Sequence, residues 1–203
     1  MSTQVGVRTY DLFINGEWVP SSSGETFDVI NPGNGAVVAK AAKGTKEDVD
    51  KAVEAASKAF ENDDWREMSP NDRAEVLFQI ADNIRKNAQE LVLQEVLTSG
   101  GTIRRVAGSD IMLMVDLFQQ MAKFVKEYPF SETLPDPLFP GPAHNFVWRE
   151  PLGVCAAITP WNMPMLIATW KIAPALATGN TIVIKPATYT PVSTLKLAEV
   201  ISE

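Results

Sequence analysis

Trp161, Asn162 and Lys185 are the residues of this chain whose types and placement could serve a reaction. An asparagine carboxamide held by its neighbours can donate to a developing oxyanion, and one such donor is typically worth about 2.7–4 kcal/mol in a transition state. Trp161 adds a broad flat surface with one donor, and a lysine at a strand tip suits a ribose hydroxyl or a phosphate. Each has a plainer alternative. Asn162, between Trp161 and Met163, equally fits a turn or helix-cap residue, and Lys185 before Pro186 fits a solvated charge.

The stretch from Gly153 to Ala187 has the pattern that would bring these residues together. An apolar run ends at Thr159-Pro160, helical periodicity continues to Ala177, Gly179-Asn180 breaks it, and a second apolar run covers 181–184. Short apolar runs bounded by turn residues suit buried parallel strands, and the segment between them suits the crossover helix. A ligand would sit beyond the strand tips, where Trp161-Asn162 and Lys185-Pro186 fall. Two familiar signals are missing. No G-x-G-x-x-G follows the first strand. His144 stands alone in a proline-rich stretch, without the acid and nucleophile of a triad, and reads as a loop residue. Cys155 lies inside the first apolar run and reads as a small buried hydrophobe rather than a nucleophile.

Upstream, residues 1–9 are polar and patternless, so a frayed start is expected. Alternation on either side of Asn15-Gly16 in 10–20 predicts a hairpin. Phe27 to Ile30, the turn Asn31-Pro32-Gly33-Asn34-Gly35 and Ala36 to Ala42 complete an arm of short antiparallel strands. The period then changes to 3.6. Thr45 and Asp48 form a capping box before a helix whose apolar face is Val49, Ala52, Val53, Ala56, Ala59 and Phe60. Ser69-Pro70 starts a second stripe, Ala74, Leu77, Ala81, Ile84, Ala88 and Leu91, broken near Asn87 and ended by Ser99-Gly100-Gly101. A further helix covers 110–126 with Ile111, Val115, Phe118, Ala122 and Val125 inward. Residues 128–147 are too rich in proline for a helix and read as a long loop or edge strands, suited to covering a partner subunit.

Composition narrows the function classes. At 203 residues and 45% hydrophobic, the chain can bury a real core. Its net charge of −7, with acidic and basic residues mixed along the chain, leaves no basic stripe for nucleic acid. The single cysteine excludes an internal disulfide, the N-terminus lacks the pattern of a signal peptide, and no apolar run reaches membrane-spanning length. A soluble cytoplasmic protein is the simplest reading, without nucleic-acid or membrane partners.

Taken together, the motifs resemble the N-terminal part of an NAD(P)-dependent aldehyde dehydrogenase over essentially the whole chain. The resemblance rests on Thr159-Pro160-Trp161-Asn162, Trp170-Lys171, 174–180 (PALATGN) and Ile184-Lys185-Pro186-Ala187, with Phe13 to Trp18 and Asn31-Pro32 in agreement. It implies an α/β fold in which an incomplete Rossmann-type cofactor domain carries an N-terminal β-arm, helices and part of an oligomerisation extension. The implied division is 1–127 for the arm and helices, 128–150 for the extension and 151–203 for the start of the cofactor-binding sheet. By the same resemblance Asn162 is the catalytic oxyanion donor to the thiohemiacetal. Ile158, Thr159, Pro160, Trp161, Lys185, Ala187 and Thr188 contact NAD or NADP, with Lys185 on the adenosine ribose. Met163, Ile167 and Trp170 line a substrate tunnel, Lys171 is a structural or relay residue, and no metal is implied.

Two departures from the family pattern matter. Where many NAD-preferring relatives carry glutamate three residues after the ribose-binding lysine, this chain has Thr188, which neither binds both ribose hydroxyls nor repels a 2′-phosphate. Tolerance of NADP is therefore expected. The chain also stops at Glu203, before the family's general-base glutamate and nucleophilic cysteine, so the expectation is a portion that is inactive by itself. Its partners would be a complementing C-terminal half or further copies of itself, with an aldehyde as substrate of the complete enzyme. The alternative is a non-catalytic assembly or nucleotide-binding module.

Overall fold

The computed structural model describes residues 7–135, 141 and 143–203. The N-terminal arm consists of β1 (Arg8–Tyr10), β2 (Leu12–Ile14), β3 (Glu17–Val19), β4 (Thr26–Ile30) and β5 (Val37–Ala42). Asn15 and Gly16 take positive φ, 54° and 78°, as a tight two-residue hairpin demands, and β2 pairs antiparallel with β3. Two expectations fail here. Of the frayed start expected over 1–9, residues 1–6 lie outside the described residues while Arg8 and Thr9 belong to a strand, and β1 runs parallel to β5, with Arg8 opposite Ala39, so the arm is not wholly antiparallel. The reason is tertiary: Tyr10 is buried, and the Arg8 guanidinium stacks 4.6 Å from its ring. Three residues are too few to show a period.

Two of the longer helices, α1 and α3, start where capping chemistry says they should. α1 (Lys46–Glu61) has Thr45 as N-cap with a reciprocal box to Asp48. Asp48 also ties this helix to the arm, accepting from Ser21 Oγ at 2.9 Å and from Ser22 N at 3.0 Å. Its apolar stripe corrects the sequence reading. Val49, Val53 and Ala59 are exposed and Ala52 and Ala56 only half-buried, because the stripe forms the wall of an open groove instead of entering the core. After the short α2 (Asp63–Arg66), α3 (Pro70–Lys86) begins at the Ser69 cap, and α4 (Ala88–Ser99) follows the break at Asn87. Gly100, at φ 73°, ends α4 in the left-handed conformation.

A single turn, α5 (Ile103–Arg105), and a π-helical turn over Val106–Asp110 lead without interruption into α6 (Ile111–Glu127). The winding therefore starts before the expected Asp110. That residue is buried inside it, accepting from Arg105 Nε at 3.0 Å. Within the proline-rich segment, β6 (Ser131–Leu134) and β7 (Asn145–Trp148) pair antiparallel as edge strands; Pro137, Pro140 and Pro142 lie outside the described residues. The chain closes with β8 (Val154–Ile158), α7 (Pro164–Ala177), β9 (Thr181–Lys185) and α8 (Pro191–Ile201). One apolar core joins the stripes of α3 and α6, including Leu77, Ile84, Phe118 and Ala122, to Met165 and Ala168 of α7 and Leu197 of α8. That core is the platform on which the β8-α7-β9 unit stands.

Candidate functional site

The strand pair sets the geometry. β8 and β9 are parallel, with Val154 opposite Thr181 and Ile158 opposite Lys185. At the amino ends, Asn180 Oδ1 accepts from Gly153 N at 3.0 Å while its Nδ2 donates to Thr178 Oγ1 at 2.8 Å. Gly179 turns the chain at φ 81°, close enough to Pro151 that a Cβ would lie 2.9 Å from Pro151 Cγ, and its carbonyl accepts from Trp65 Nε1 at 3.0 Å. At the carboxyl ends, Thr159 N donates to Lys185 O at 3.2 Å, so pairing persists to the strand tips.

Beyond that last bond the two tips diverge. Thr159 is buried, Pro160 turns the chain, and Trp161 (62% exposed) and Asn162 face solvent. Pro164 occupies the first turn of α7, and Met163 is its N-cap position, so Asn162 stands before the cap and is not the cap itself. This removes the capping alternative for Asn162. Lys185, also exposed, enters no ion pair among the described residues, and Thr188 follows it in the turn that leads to α8.

The residues singled out from the sequence fall into three connected places. Ile158, Lys185 and Thr188 line a groove of about 1360 Å³, where apolar residues such as Leu12, Phe27, Val49, Val53 and Ile182 share the wall with charged ones, Glu25, Lys43 and Asp48 among them. Met163, Ile167 and Trp170 follow the 3.6 period from the N-cap along α7, with Met163 packed against the edge of the core. Met163 and Ile167 are half-buried and Trp170 is 50% exposed, with Lys171 exposed beside it. The Pro160-Trp161-Asn162 turn separates the two. Thr159, Pro160, Trp161 and Ala187 are not part of the groove wall. Cys155 is half-buried in β8, less enclosed than its apolar run implied.

Glu95 is the buried polar residue that sequence reasoning missed. It lies on α4 in the same stripe as Leu91 and Thr98, and it is 1% exposed where α4 meets α7 and α8. Burial pushes its carboxyl up to about 7, opposed by the Ser193 hydroxyl, Arg105 and the Met165 amide and reinforced by Asp110. A carboxylate at a stripe position, four residues after Leu91, was the signal available in the sequence. Among the described residues no cluster of His, Cys, Asp and Glu could hold a metal ion, and no helix is long and apolar enough to cross a membrane.

A parallel strand pair joined by a helix, with polar residues at both carboxyl ends, defines the opening unit of a Rossmann-like α/β protein. The chain belongs to the aldehyde dehydrogenase family, whose model matches residues 18–203. It is 40% identical to aldehyde dehydrogenase B of Escherichia coli over 196 residues, which make up 96% of this chain and 37% of that protein. Betaine aldehyde dehydrogenase of Bacillus subtilis is 38% identical over 195 residues, 95% of this chain and 38% of the relative. Among solved structures, a variant of aldehyde dehydrogenase from Bacillus cereus superposes with a TM-score of 0.90 at 36% identity, covering 96% of this chain and 39% of that one. Betaine aldehyde dehydrogenase from Staphylococcus aureus, solved in complex with NAD+, superposes with a TM-score of 0.88 at 36% identity, over 95% of this chain and 37% of that one. The chain thus spans less than two fifths of the length of these relatives.

Proposed function

We propose that the chain is the N-terminal portion of an enzyme that oxidises an aldehyde to a carboxylic acid with NAD or NADP. The observation that carries this reading is the β8–β9 register, which sets Ile158 opposite Lys185 and so puts the Asn162 turn and the Lys185 turn at one end of the sheet. The groove beside them suits a dinucleotide: the Lys185 ammonium and the Thr188 hydroxyl share its wall with the apolar Val53, Ile182 and Ile184, a polar group for a ribose beside an apolar surface for an adenine. The bound dinucleotide supplies the hydride acceptor. On the protein side, Lys185 binds ribose hydroxyls, Ile158, Thr159, Pro160, Trp161 and Ala187 shape the cofactor cleft, and Thr188 leaves room for a 2′-phosphate. Asn162 donates its amide to the oxyanion that forms when the aldehyde is attacked. Met163, Ile167 and Trp170 give one wall of an apolar substrate passage, and Lys171 is a relay or structural residue beside it.

The nucleophile and general base belong, on this reading, to the part of the parent enzyme that this chain does not include, so the chain is inactive alone. The division into 1–127, 128–150 and 151–203 follows the same reading. Residues 128–150 form an oligomerisation extension, supported by the exposure of Leu134, Phe146 and Trp148 on the β6–β7 pair, and the enzyme works in the cytoplasm as an oligomer. Aldehyde-dependent NAD(P)H production by the chain combined with the C-terminal remainder of an aldehyde dehydrogenase tests the reading. Asn162→Ala should then lower kcat roughly 10²–10³-fold with cofactor binding retained; unchanged turnover would remove Asn162 from the mechanism. The second reading, a non-catalytic assembly or nucleotide-binding module, is favoured by the open α1 wall of the groove. A stable oligomer of the chain that binds dinucleotide but restores no activity to any C-terminal portion would select it.

A further inference from the structure

The first turn of a helix leaves backbone N–H groups without intrahelical partners, and a capping side chain normally takes at least one. α7 and α8 both lack one. Met163 and Thr190 occupy their N-cap positions, and neither side chain makes a cap hydrogen bond. Glu95 of α4 is the carboxyl group buried against these two helix starts. The groups that act on its charge are the Met165 amide in the first turn of α7, the Ser193 hydroxyl in the first turn of α8, and Arg105 and Asp110, the one just before and the other at the end of the π-helical turn. Ser193 Oγ, Arg105 Nη2 and Glu95 Oε2 are all buried without a hydrogen-bond partner in the structure. Arg105 gives its Nε to Asp110 at 3.0 Å, and its Nη2 stays without a partner. Glu95 is therefore left to face the helix starts, where the partial positive charge of unpaired N–H groups favours an acceptor.

We propose that Glu95 is a positioning residue for the Asn162 turn: reaching from α4, its carboxyl group stands in for the missing cap of α7, holds the Met165 amide and so fixes where the Asn162 carboxamide points. The proposal rests on the reading of Asn162 as oxyanion donor for its functional meaning, but its structural content is independent of that reading. Met165 lies three residues beyond Asn162, with only Met163 and Pro164 between them. Pro164 has no N–H, so the Met165 amide is the first in α7 that an outside acceptor can hold. The next recorded constraint on this turn is the bond from Ile167 N to Met163 O at 3.0 Å.

Amide hydrogen exchange in the 203-residue chain, read by mass spectrometry, tests it. Loss of a cap typically costs about 1 kcal/mol, so Glu95→Ala should speed exchange across 161–167 by roughly five- to tenfold while 114–125 of α6 keeps its protection. Glu95→Gln, whose amide oxygen can accept the same N–H, should restore protection to near the unsubstituted level. Unchanged exchange at 161–167 in Glu95→Ala, or a glutamine variant as fast as alanine, overturns the proposal. If Glu95→Ala does not fold, the Met165 amide resonance decides. It should move with pH in the unsubstituted chain as Glu95 titrates among Arg105, Asp110 and Ser193, and stay still in Glu95→Gln; the same pH response in both chains refutes the contact. No aldehyde or cofactor enters these measurements. Should Asn162→Ala leave turnover unchanged, the assignment of Asn162 fails while the Glu95 result stands.

Discussion

Replacing Glu95 by glutamine should remove a pH dependence of stability that runs opposite to ordinary acid denaturation. Burial is the largest influence on this carboxyl and raises it from an ordinary 4.5 to about 7. Below pH 4.5 the group is protonated in folded and unfolded chains alike and contributes no slope. Between 4.5 and 7 the folded chain keeps a proton that the unfolded chain has released, so stability falls as the pH rises, and above 7 the whole loss is present. At about 1.36 kcal/mol per pH unit, the interval from 4.5 to about 7 corresponds to roughly 3 kcal/mol. Glutamine is isosteric with the protonated acid and has nothing to titrate. The stability of Glu95→Gln relative to the unsubstituted chain should therefore rise by roughly 3 kcal/mol between about pH 4.5 and pH 8. Urea unfolding at fixed chain concentration, followed by tryptophan fluorescence, measures that difference at each pH. Asp48, held below the usual carboxylate range, and Tyr10, raised by burial, titrate outside this window in both chains and cancel. A difference that stays constant with pH would refute the buried-acid argument.

Asp48 should show the opposite sign. Burial alone would raise its carboxyl, but the Thr45 and Ser22 N–H groups and the Ser21 and Thr45 hydroxyls hold it well below its ordinary value. Its contribution is thus present above about pH 4 and fades below it. Asp48→Ala should cost about 2 kcal/mol at neutral pH through the lost cap and arm contacts, measured by the same unfolding assay. Gly179→Ala forces an L side chain to φ 81° against Pro151, and a loss of about 1–2 kcal/mol from the left-handed conformation alone should appear as a lower Tm. Thr188→Glu in the complementing system should raise the KM for NADP while leaving that for NAD unchanged or lower; equal effects on both would sink the ribose assignment.

Local chemistry made a large part of the fold legible in the sequence. Asn15-Gly16 determined the hairpin, Thr45 with Asp48 and Ser69 with Pro70 determined two helix starts, and Gly100 and Gly179 determined two ends, because each signal acts within a few residues of itself. The strand-helix-strand unit followed from spacing in the same way. What lay outside that range was decided by partners distant in the chain. The parallel pairing of Arg8–Tyr10 with β5 depends on a strand it meets only after the chain has folded back. The apolar stripe of α1 looks like any core-facing stripe, yet the fold turns it towards a groove.

The site divides along the same line. Trp161, Asn162 and Lys185 could be named from their order along the chain, since the ends of a strand-helix-strand unit are local features, whereas Thr188 was named through the family resemblance alone. That Ile158 lies opposite Lys185, that Met163 and not Asn162 takes the cap position, and that Glu95 is buried on α4 are facts of tertiary structure. Residue type and spacing set which backbone conformations are cheap, and so by themselves determined the elements and the turn residues of this protein. Burial and long-range pairing decide which groups lose water and which faces meet, and only the folded chain determined the groove, the shared core and the buried acid of α4.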